Sequence, residues 1–198
     1  MKVLFATTNQ AKIDYYAKEL IKRDIKVVTL NDLKLSLEIE ENGKDAVENA
    51  IIKAETYYYA SKITTISIDD SLFIEGLDNA SQPGVNVRRV NDKRLSDDEM
   101  LKHYSELVKK LGGKVKAKWT KGIAIYGKAG LKTLEYSRIN FFLVDKPSII
   151  VKEGYPLDSL SIIPEFNKYL SELSWEEYEV YKKRSNSREI LDFIAKNI

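Results

Sequence analysis

The sequence contains no cysteine and only one histidine, His103. The lack of cysteine excludes disulfide bonds, thiolate nucleophiles and zinc sites with cysteine ligands. A single histidine is too few to build a histidine metal site, and His103 lies within a pattern typical of a helix. A metal ion bound by this chain would therefore be one that accepts oxygen ligands.

The sequence also lacks an apolar run of the roughly 20 residues that a membrane-spanning helix requires. Its 32 basic and 30 acidic side chains give a net charge of +2, which offers no argument for a nucleic-acid or membrane partner. Met1 and Lys2 lead directly into a strand-like segment, so we expect no signal peptide and a cytoplasmic location. With 198 residues, 43% of them hydrophobic, we expect one domain over residues 1–198.

The most informative stretch, residues 64–84, places two adjacent acids and a serine between two apolar runs. Alternation and β-branching predict a strand, an acidic turn and a second strand. On an extended backbone Asp69 and Asp70 would point to opposite faces, and adjacent carboxylates repel each other unless a cation or a proton lies between them. Because aspartate also favours ordinary turns, the stretch alone is compatible with a solvated turn as well as with a site.

A polar turn follows the first predicted strand, residues 3–6, and leads into an amphipathic helix that Thr8 or Asn9 would cap. A strand that enters a helix through such a turn often binds anions, because free N–H groups and the helix dipole face the ligand. Lys12, in the first turn, opposes the dipole unless an anion lies there too. A capped helix with a solvated lysine fits the pattern equally well, and the glycines of a Walker loop are missing.

A longer helix is predicted from about residue 45 to 60, after the turn formed by residues 40–43. Asn49 and Lys53 are four residues apart and share a face at the border of its apolar stripe. A lysine at such a border usually extends to water. A ligand-facing role for Lys53 is the less common alternative.

The second half of the chain shows ordinary signals of helices and strands. Two capping boxes, Ser96 with Glu99 and Ser174 with Glu177, predict helix starts. Strand-like runs at residues 114–126 and 131–144 are joined by residues 127–130, which predict a hairpin with a four-residue loop.

Four segments carry a family resemblance when they are taken together. They are T-x-N-x-x-K at residues 7–12, E-E-N-G at 40–43 followed by E-N-A-I-I-K-A at 48–54, I-D-D-S at 68–71, and P-G-V at 83–85 with Arg89. Their order and spacing resemble the inosine triphosphate pyrophosphatase family, which removes deaminated purine nucleoside triphosphates from the nucleotide pool. The helix motif followed at this distance by D-D-S is the specific part.

The resemblance implies an elongated α/β fold with a long central mixed β-sheet and two lobes flanking a cleft, usually as a homodimer. It implies Mg²⁺-dependent hydrolysis of a nucleoside triphosphate between its α and β phosphates, which gives the monophosphate and pyrophosphate. The chemistry agrees, because attack on a polyphosphate needs charge neutralisation, a bridging metal and a carboxylate to position water. Mg²⁺ uses oxygen ligands and keeps several waters, so a few carboxylates suffice.

The resemblance also implies roles for individual residues. Asp70 would bind the metal and orient or deprotonate the attacking water, Asp69 would assist at the metal, and Lys53 would reach a phosphate. Glu41 would be a second metal ligand. The substrate-binding positions that match the family motifs are Thr7, Asn9, Lys12, Ser71 and Arg89.

The second half departs from the family pattern. Leu72 replaces the glycine that usually follows D-D-S, and Leu157 replaces an aromatic residue that should stack on the base. Of the family's S-H-R near the C-terminus only the arginine remains. The resemblance therefore implies that the phosphate and metal residues are retained while base selection is rebuilt. The candidates for base contact are Tyr155, Asp158, Lys183 and Arg184.

Two other functions stay open. The altered base loop is compatible with a nucleotide-binding protein of the same fold that has little or no catalysis. A nucleic-acid-associated domain would use the strand face from Lys114 to Lys121, where lysines alternate at positions 114, 116 and 118, and the four basic residues in 182–188. A solvated strand face explains the alternating lysines as well.

Overall fold

The computed structural model describes residues 2–91, 93–137, 140–184 and 187–198, without the side chains of Ala11, Ser187 and residues 182–184. The strands are β1 (Lys2–Phe5), β2 (Lys26–Thr29), β3 (Thr65–Ile74), β4 (Arg89–Val90), β5 (Lys93–Arg94), β6 (Lys114–Gly127), β7 (Gly130–Ser137), β8 (Phe141–Val144), β9 (Ser161–Ile163) and β10 (Lys168–Tyr169). The helices are α1 (Gln10–Lys12), α2 (Lys18–Ile21), α3 (Ala46–Ser61), α4 (Asp97–Lys110), α5 (Trp175–Arg184) and α6 (Ser187–Asn197), and a π-helical segment, Ile13–Ala17, joins α1 to α2.

The strands form a mixed eight-stranded sheet with the order β10-β9-β8-β6-β3-β1-β2, in which β7 also pairs with β6, and a separate β4-β5 hairpin. The predicted α/β class with a central mixed sheet is therefore confirmed. The chain divides into two compact units, the first containing Met1–Asp70, Thr120–Ser137 and Asn186–Ile198, the second Ser71–Trp119 and Arg138–Ser185. The single domain, the elongated shape and the cleft stay predictions. No helix in the described ranges combines the length and the apolar character needed to cross a membrane.

In the first unit, β1 is parallel to β2 on one side and to β3 on the other, as the pairs Val3↔Val27 and Phe5↔Ile66 show. Alternate residues of β1 point to opposite faces of the sheet. Val3 and Phe5 pack against the helix that follows β1, whereas Leu4 and Ala6 share a core cluster with Tyr57 of α3. The two helices therefore cover opposite faces.

Helix α3 lies directly on strand β6 because Gly122 has no side chain. A Cβ atom at Gly122 would lie 2.1 Å from the backbone carbonyl of Ala46 and 2.2 Å from the amide nitrogen of Val47. The predicted helix boundary is close to the observed one, with Asp45 as the N-cap whose side chain accepts a hydrogen bond from the Glu48 amide at 2.9 Å. Gly122 thus fixes where the first turn of α3 rests on the sheet.

In the second unit, α4 packs its apolar side, Met100, Tyr104 and Val108, into a core that also contains Leu72 and Leu157. The buried Tyr104 hydroxyl donates a hydrogen bond to the Val87 carbonyl at 2.9 Å. Both predicted capping boxes are present: Ser96 and Glu99 open α4, and Ser174 and Glu177 exchange hydrogen bonds before α5.

Two predictions about strands are wrong. Asp69 and Asp70 do not form a turn, since β3 runs through them without interruption. The run at residues 131–144 is not one strand, because its first part pairs with residues 120–127 of β6 and its last part, β8, pairs with residues 114–117. The hairpin loop is also shorter than predicted, since Gly127 and Gly130 pair with each other.

We predict that Gly122→Ala destabilises the protein, because its Cβ atom would overlap the backbone of α3 and force helix and strand apart. Overpacking of this kind costs about 1–3 kcal/mol, and the melting temperature should fall by about 2–4 °C for each kcal/mol. Gly130→Ala is the matched control: its Cβ would meet no atom within 4 Å, although its φ of +86° adds backbone strain. Equal melting temperatures for the two variants would contradict the prediction.

Candidate active site

The candidate site lies beyond the carboxyl end of β1. The last paired residues of β1 and β3 are Phe5 and Ile66, so Asp69 and Asp70 extend past the point where β1 ends. The helix after β1 and the helix before β3 cover opposite faces of the sheet. The carboxyl end of β1 is therefore a topological switch point, where the connections between parallel strands run to opposite sides. Ligands of open α/β sheets bind in the crevice at such a position.

The loop after β1 is held by its own polar side chains. The Asn9 amide donates a hydrogen bond to Thr7 Oγ1 at 3.1 Å, and the Lys12 amide donates to Asn9 Oδ1 at 3.2 Å. Asn9 therefore caps the helix, as one of the two predicted candidates. This arrangement places the side chain of Lys12 beside Ile68 and Asp70, in the middle of β3.

Asp70 is contacted by two lysines from different elements. Lys12 Nζ lies 2.7 Å from Asp70 Oδ2 and donates a further hydrogen bond to the Ile68 carbonyl at 2.9 Å. Lys121, on β6, donates to Asp70 Oδ1. The side chains of both lysines are only 15% exposed and that of Asp70 is 21% exposed. Each carboxylate oxygen of Asp70 thus has a largely buried ammonium partner.

These contacts determine the protonation of Asp70. Burial alone would raise the pKa of this carboxyl group, because it disfavours the charged form. The positive charges and hydrogen bonds of Lys12 and Lys121 outweigh burial and hold the pKa of Asp70 well below the usual range for aspartate. Asp70 is therefore a carboxylate at neutral pH, with low basicity while both lysines contact it.

Lys53 forms a second group on the other face of β3. Its Nζ lies 2.6 Å from Asp69 Oδ1 and 2.9 Å from Glu41 Oε2, and its side chain is 13% exposed. Burial lowers the pKa of Lys53, but the charges of Asp69 and Glu41 raise it by more, so the net shift is upward. The interpretation of Lys53 as a lysine that extends to water is wrong, since two carboxylates hold its ammonium group.

The two groups meet at the adjacent residues Asp69 and Asp70, which face opposite sides of the strand as predicted. Together they contain three lysines and three acids, which we call the six-residue cluster: Lys12, Glu41, Lys53, Asp69, Asp70 and Lys121. The lysines neutralise the adjacent carboxylates, and this explains why the strand continues through them.

The chemistry of this cluster fits a hard divalent cation, but it does not form a ready metal cage. Within the described ranges, no group of three Asp, Glu, His or Cys residues is arranged to hold a metal ion. Mg²⁺ commonly takes one or two carboxylates together with waters and phosphate oxygens. Glu41, whose side chain is 43% exposed, and Asp70 could supply such oxygens once a lysine moves to another partner.

The sequence gives Lys121 no role at the predicted active site and counts it only with the basic strand face from Lys114 to Lys121 in the nucleic-acid alternative. The structure corrects this grouping. The sequence feature that separates it from the other lysines is its odd position on the strand. Lys114, Lys116 and Lys118, at even positions, are exposed on one face of β6, as the solvated-face interpretation predicts. Lys121 has the opposite parity and points to the other face, which also carries the buried Ile123 and Ile125. Its partner Asp70 is 51 residues away along the chain.

Two of the four predicted base-contact residues lie near a turn of the second unit: Tyr155 follows Gly154 directly, and Asp158 lies in the next element, a 3₁₀ helix over Pro156–Ser159. Gly154 has a φ of +78°, its N–H donates to Asp97 Oδ2 at 2.8 Å, and its carbonyl accepts from Arg88 at 3.3 Å. Tyr155, which follows it, is 38% exposed, whereas Leu157 is buried in the core and presents no surface for stacking.

The remaining predicted site residues are placed as follows. Asp158 and Ser71 are half-buried, and Arg89 is exposed on β4. The side chains of Lys183 and Arg184 lie outside the described residues. The substrate-binding roles of all of these stay predictions.

Comparison with known proteins agrees with this architecture. A family model described as the Ham1 family matches residues 3–191. A dITP/XTP pyrophosphatase from Campylobacter jejuni is 28% identical over 202 residues, covering 99% of this chain and 98% of the relative. A protein of the same name from Listeria monocytogenes is 29% identical over 191 residues, covering 94% of this chain and 90% of the relative.

Two solved structures share the fold. A HAM1 protein from Coxiella burnetii superposes with a TM-score of 0.79 at 23% identity, covering 99% of this chain and 97% of that one. The Ham1 protein from Staphylococcus aureus gives a TM-score of 0.76 at 22% identity, with both chains covered completely.

We predict that Asp97→Asn loosens the Gly154 turn in a pH-dependent way. Although burial opposes the shift, hydrogen bonds from Arg88 and Gly154 lower the pKa of Asp97 in the folded protein. Its stabilisation is therefore present above the unfolded-state pKa of about 3.9 and declines as the pH falls through the folded-state value. At pH 7 the unfolding free energy of the variant should be lower than that of wild type by about 1 kcal/mol, and its melting temperature should be lower too. Both differences should become smaller as the pH approaches 3.

Asp98→Asn is the matched control for the Asp97 variant, because Asp98 is exposed in the same first turn of α4. It loses the same charge near the helix dipole without losing a contact to Gly154. If both variants lost the same unfolding free energy relative to wild type at pH 7, the anchoring role of Asp97 would be refuted.

Proposed function

The chain belongs to the Ham1 family, and from this premise we propose that it hydrolyses deaminated purine nucleoside triphosphates to the monophosphate and pyrophosphate. The relatives named dITP/XTP pyrophosphatase, which align with nearly the whole chain, support this reaction and this substrate class. The four-segment resemblance to the inosine triphosphate pyrophosphatase family agrees with both. The proposed role in the cell is removal of damaged nucleotides from the pool.

The observation that carries the proposal is the six-residue cluster at the carboxyl end of β1. Cleavage of a phosphoanhydride requires cations that neutralise the polyphosphate and a carboxylate that positions water. Three lysines and three acids from separate segments meet here, next to the polar loop capped by Asn9.

We assign the binding of phosphate to a change of partners by two lysines. Lys12 follows the loop that contains Thr7 and Asn9, and its ammonium group would leave Asp70 Oδ2 for a phosphate oxygen. Lys53 would likewise exchange a carboxylate for phosphate. Each such exchange replaces one charge-assisted hydrogen bond with another, so it exposes no unpaired ammonium group.

The same exchange frees Asp70 for its role with water. A carboxylate contacted by two ammonium groups is a weak base, and loss of one of them raises its basicity. Asp70 would then accept a hydrogen bond from the attacking water and orient it. Substrate binding and water activation are thereby coupled through one carboxylate.

We propose Mg²⁺ as the cofactor, with Glu41 and Asp70 as ligands and Asp69 assisting. Their oxygen donors suit Mg²⁺, and the relatives act on nucleotides that bind such cations through phosphate. When bound, Mg²⁺ would offset the charge of the phosphate oxygens that it contacts. The exposed Glu41 is the ligand nearest to solvent.

Recognition of the base is assigned to residues of the second half of the chain. Tyr155 follows the anchored Gly154, Asp158 lies in the 3₁₀ helix after it, and with Lys183 and Arg184 they are the proposed base contacts. A lysine or arginine donates hydrogen bonds only, so it favours the 6-oxo group of a deaminated purine over the amino group of adenine. Ser71 and Arg89 are proposed as further substrate contacts.

We further propose that the enzyme acts in the cytoplasm as a homodimer and without a nucleic-acid partner. The family resemblance supports the dimer, and the nearly balanced charge gives no support to a nucleic-acid surface. Light scattering of the purified chain would detect a dimer directly, and a monomer at micromolar concentration would refute it.

The decisive experiment is a pyrophosphate-release screen over ITP, XTP, dITP and the standard triphosphates with Mg²⁺. We expect turnover of the deaminated purines, its loss with chelator, and a decrease of about 10³-fold or more for Asp70→Asn, which keeps the shape but not the charge. Calorimetric binding of triphosphates without pyrophosphate release would indicate the binding-protein alternative. An active Asp70→Asn variant would exclude the role of Asp70 with water.

Glu41→Gln should raise the Mg²⁺ concentration for half-maximal activity by about tenfold or more, because an amide oxygen is a weaker ligand than a carboxylate. Glu40→Gln is the matched control, since Glu40 is the exposed neighbour outside the ion pairs of the cluster. Identical metal titrations for the two variants would remove Glu41 from the metal site.

A further inference from the structure

We propose that Lys121 is a positioning residue, which holds Asp70 through Oδ1 while Lys12 moves to the substrate phosphate. The inference rests on the proposed function and goes beyond it, because it concerns a residue outside the motifs of the family resemblance. Its basis is a division of labour seen in the contacts: Lys12 binds one oxygen of Asp70 and Lys121 binds the other.

The two lysines differ in what fixes them. Lys12 lies at the end of α1, three residues after Asn9, beside the polar loop where an anion would bind. Lys121 lies within β6, whose residues 120–127 are all paired with β7. Its neighbour Gly122 is pressed against the first turn of α3. The backbone of Lys121 is therefore held on a rigid element, which is what a positioning group requires.

The negative charge of Asp70 explains why its contact with Lys121 is required. When Lys12 transfers to phosphate, Asp70 without Lys121 would be a largely buried carboxylate next to a polyanion. Loss of both ammonium partners of a largely buried carboxylate is unfavourable. Asp70 would then turn away from the phosphates, and the water would lose its partner. With Lys121 in place, Oδ1 stays fixed, and Oδ2, which Lys12 releases, is available for the roles that the proposed function gives Asp70 with metal and water.

This role predicts a split between kinetic constants. Removing the Lys121 charge should reduce kcat by about 10- to 100-fold, since misplacing a reacting group by about 1 Å costs this much. The KM for ITP should change by less than about threefold, because ground-state phosphate binding is assigned to Lys12 and Lys53. Lys12→Met should instead act mainly on KM, which should rise strongly.

The experiment measures kcat and KM for wild type, Lys121→Met, Lys121→Gln and Lys121→Arg, with melting temperatures for each. Lys116→Met is the matched control, because Lys116 lies exposed on the other face of the same strand. We expect the arginine variant to recover most of kcat and the control to equal wild type. If the methionine variant fails to fold, the glutamine variant, which keeps a hydrogen-bond donor, supplies the same comparison.

A double-mutant cycle isolates the contact itself. If Lys121 acts through Asp70, then Lys121→Met should cause little further loss in an Asp70→Asn background. A full additional loss would overturn the inference, and so would an unchanged kcat in the single variant. A rise in KM like that of Lys12→Met would make Lys121 a phosphate ligand instead. If wild type released no pyrophosphate, the proposed function would fail first; with active wild type, only the role of Lys121 is at issue.

Discussion

Two adjacent carboxylates in the middle of a sheet strand are stable only if each face of the sheet supplies positive charge. Asp69 and Asp70 meet this condition: Lys53 neutralises the first from the α3 side, and Lys12 and Lys121 neutralise the second from the opposite side. Removal of Lys53, or of both Lys12 and Lys121, would leave a largely buried carboxylate without an ammonium partner. The positions of these lysines are thus a requirement of the fold as well as of the proposed chemistry.

The lysines come from three separate elements, so the requirement ties those elements to β3. The loop after β1 sets the position of Lys12 through the Asn9 cap, and α3 sets that of Lys53. Gly122 lets α3 rest on β6 without a gap, and the residue before it on the strand is Lys121. Packing and charge therefore agree on one arrangement, which is the consistency between levels expected of a sequence that specifies a single structure.

Features that depend on local sequence were predicted well, including the Asn9 cap, the start of α3 and both capping boxes. The predicted acidic turn is wrong because aspartate favours turns locally, whereas the lysines that cancel the repulsion between Asp69 and Asp70 come from other elements, two of them distant in sequence. The run at residues 131–144 looked like one strand because both parts are rich in strand-forming residues; only pairing with two regions of β6 divides it. The sequence groups Lys121 with the basic face of residues 114–121 for the same reason, since no local pattern contains its contact with Asp70.

The equal numbers of lysines and acids in the six-residue cluster have a consequence for encounter with a ligand. A site whose charges cancel at short range projects little field into solvent, so it attracts a polyanion weakly from a distance. The association rate would then be set by diffusion and orientation and would depend little on ionic strength. Salt would also weaken the pairs within the site only slightly, because close pairs shielded from water are screened much less than exposed ones. Attraction becomes strong only on contact, when the ammonium groups turn from carboxylate to incoming anion.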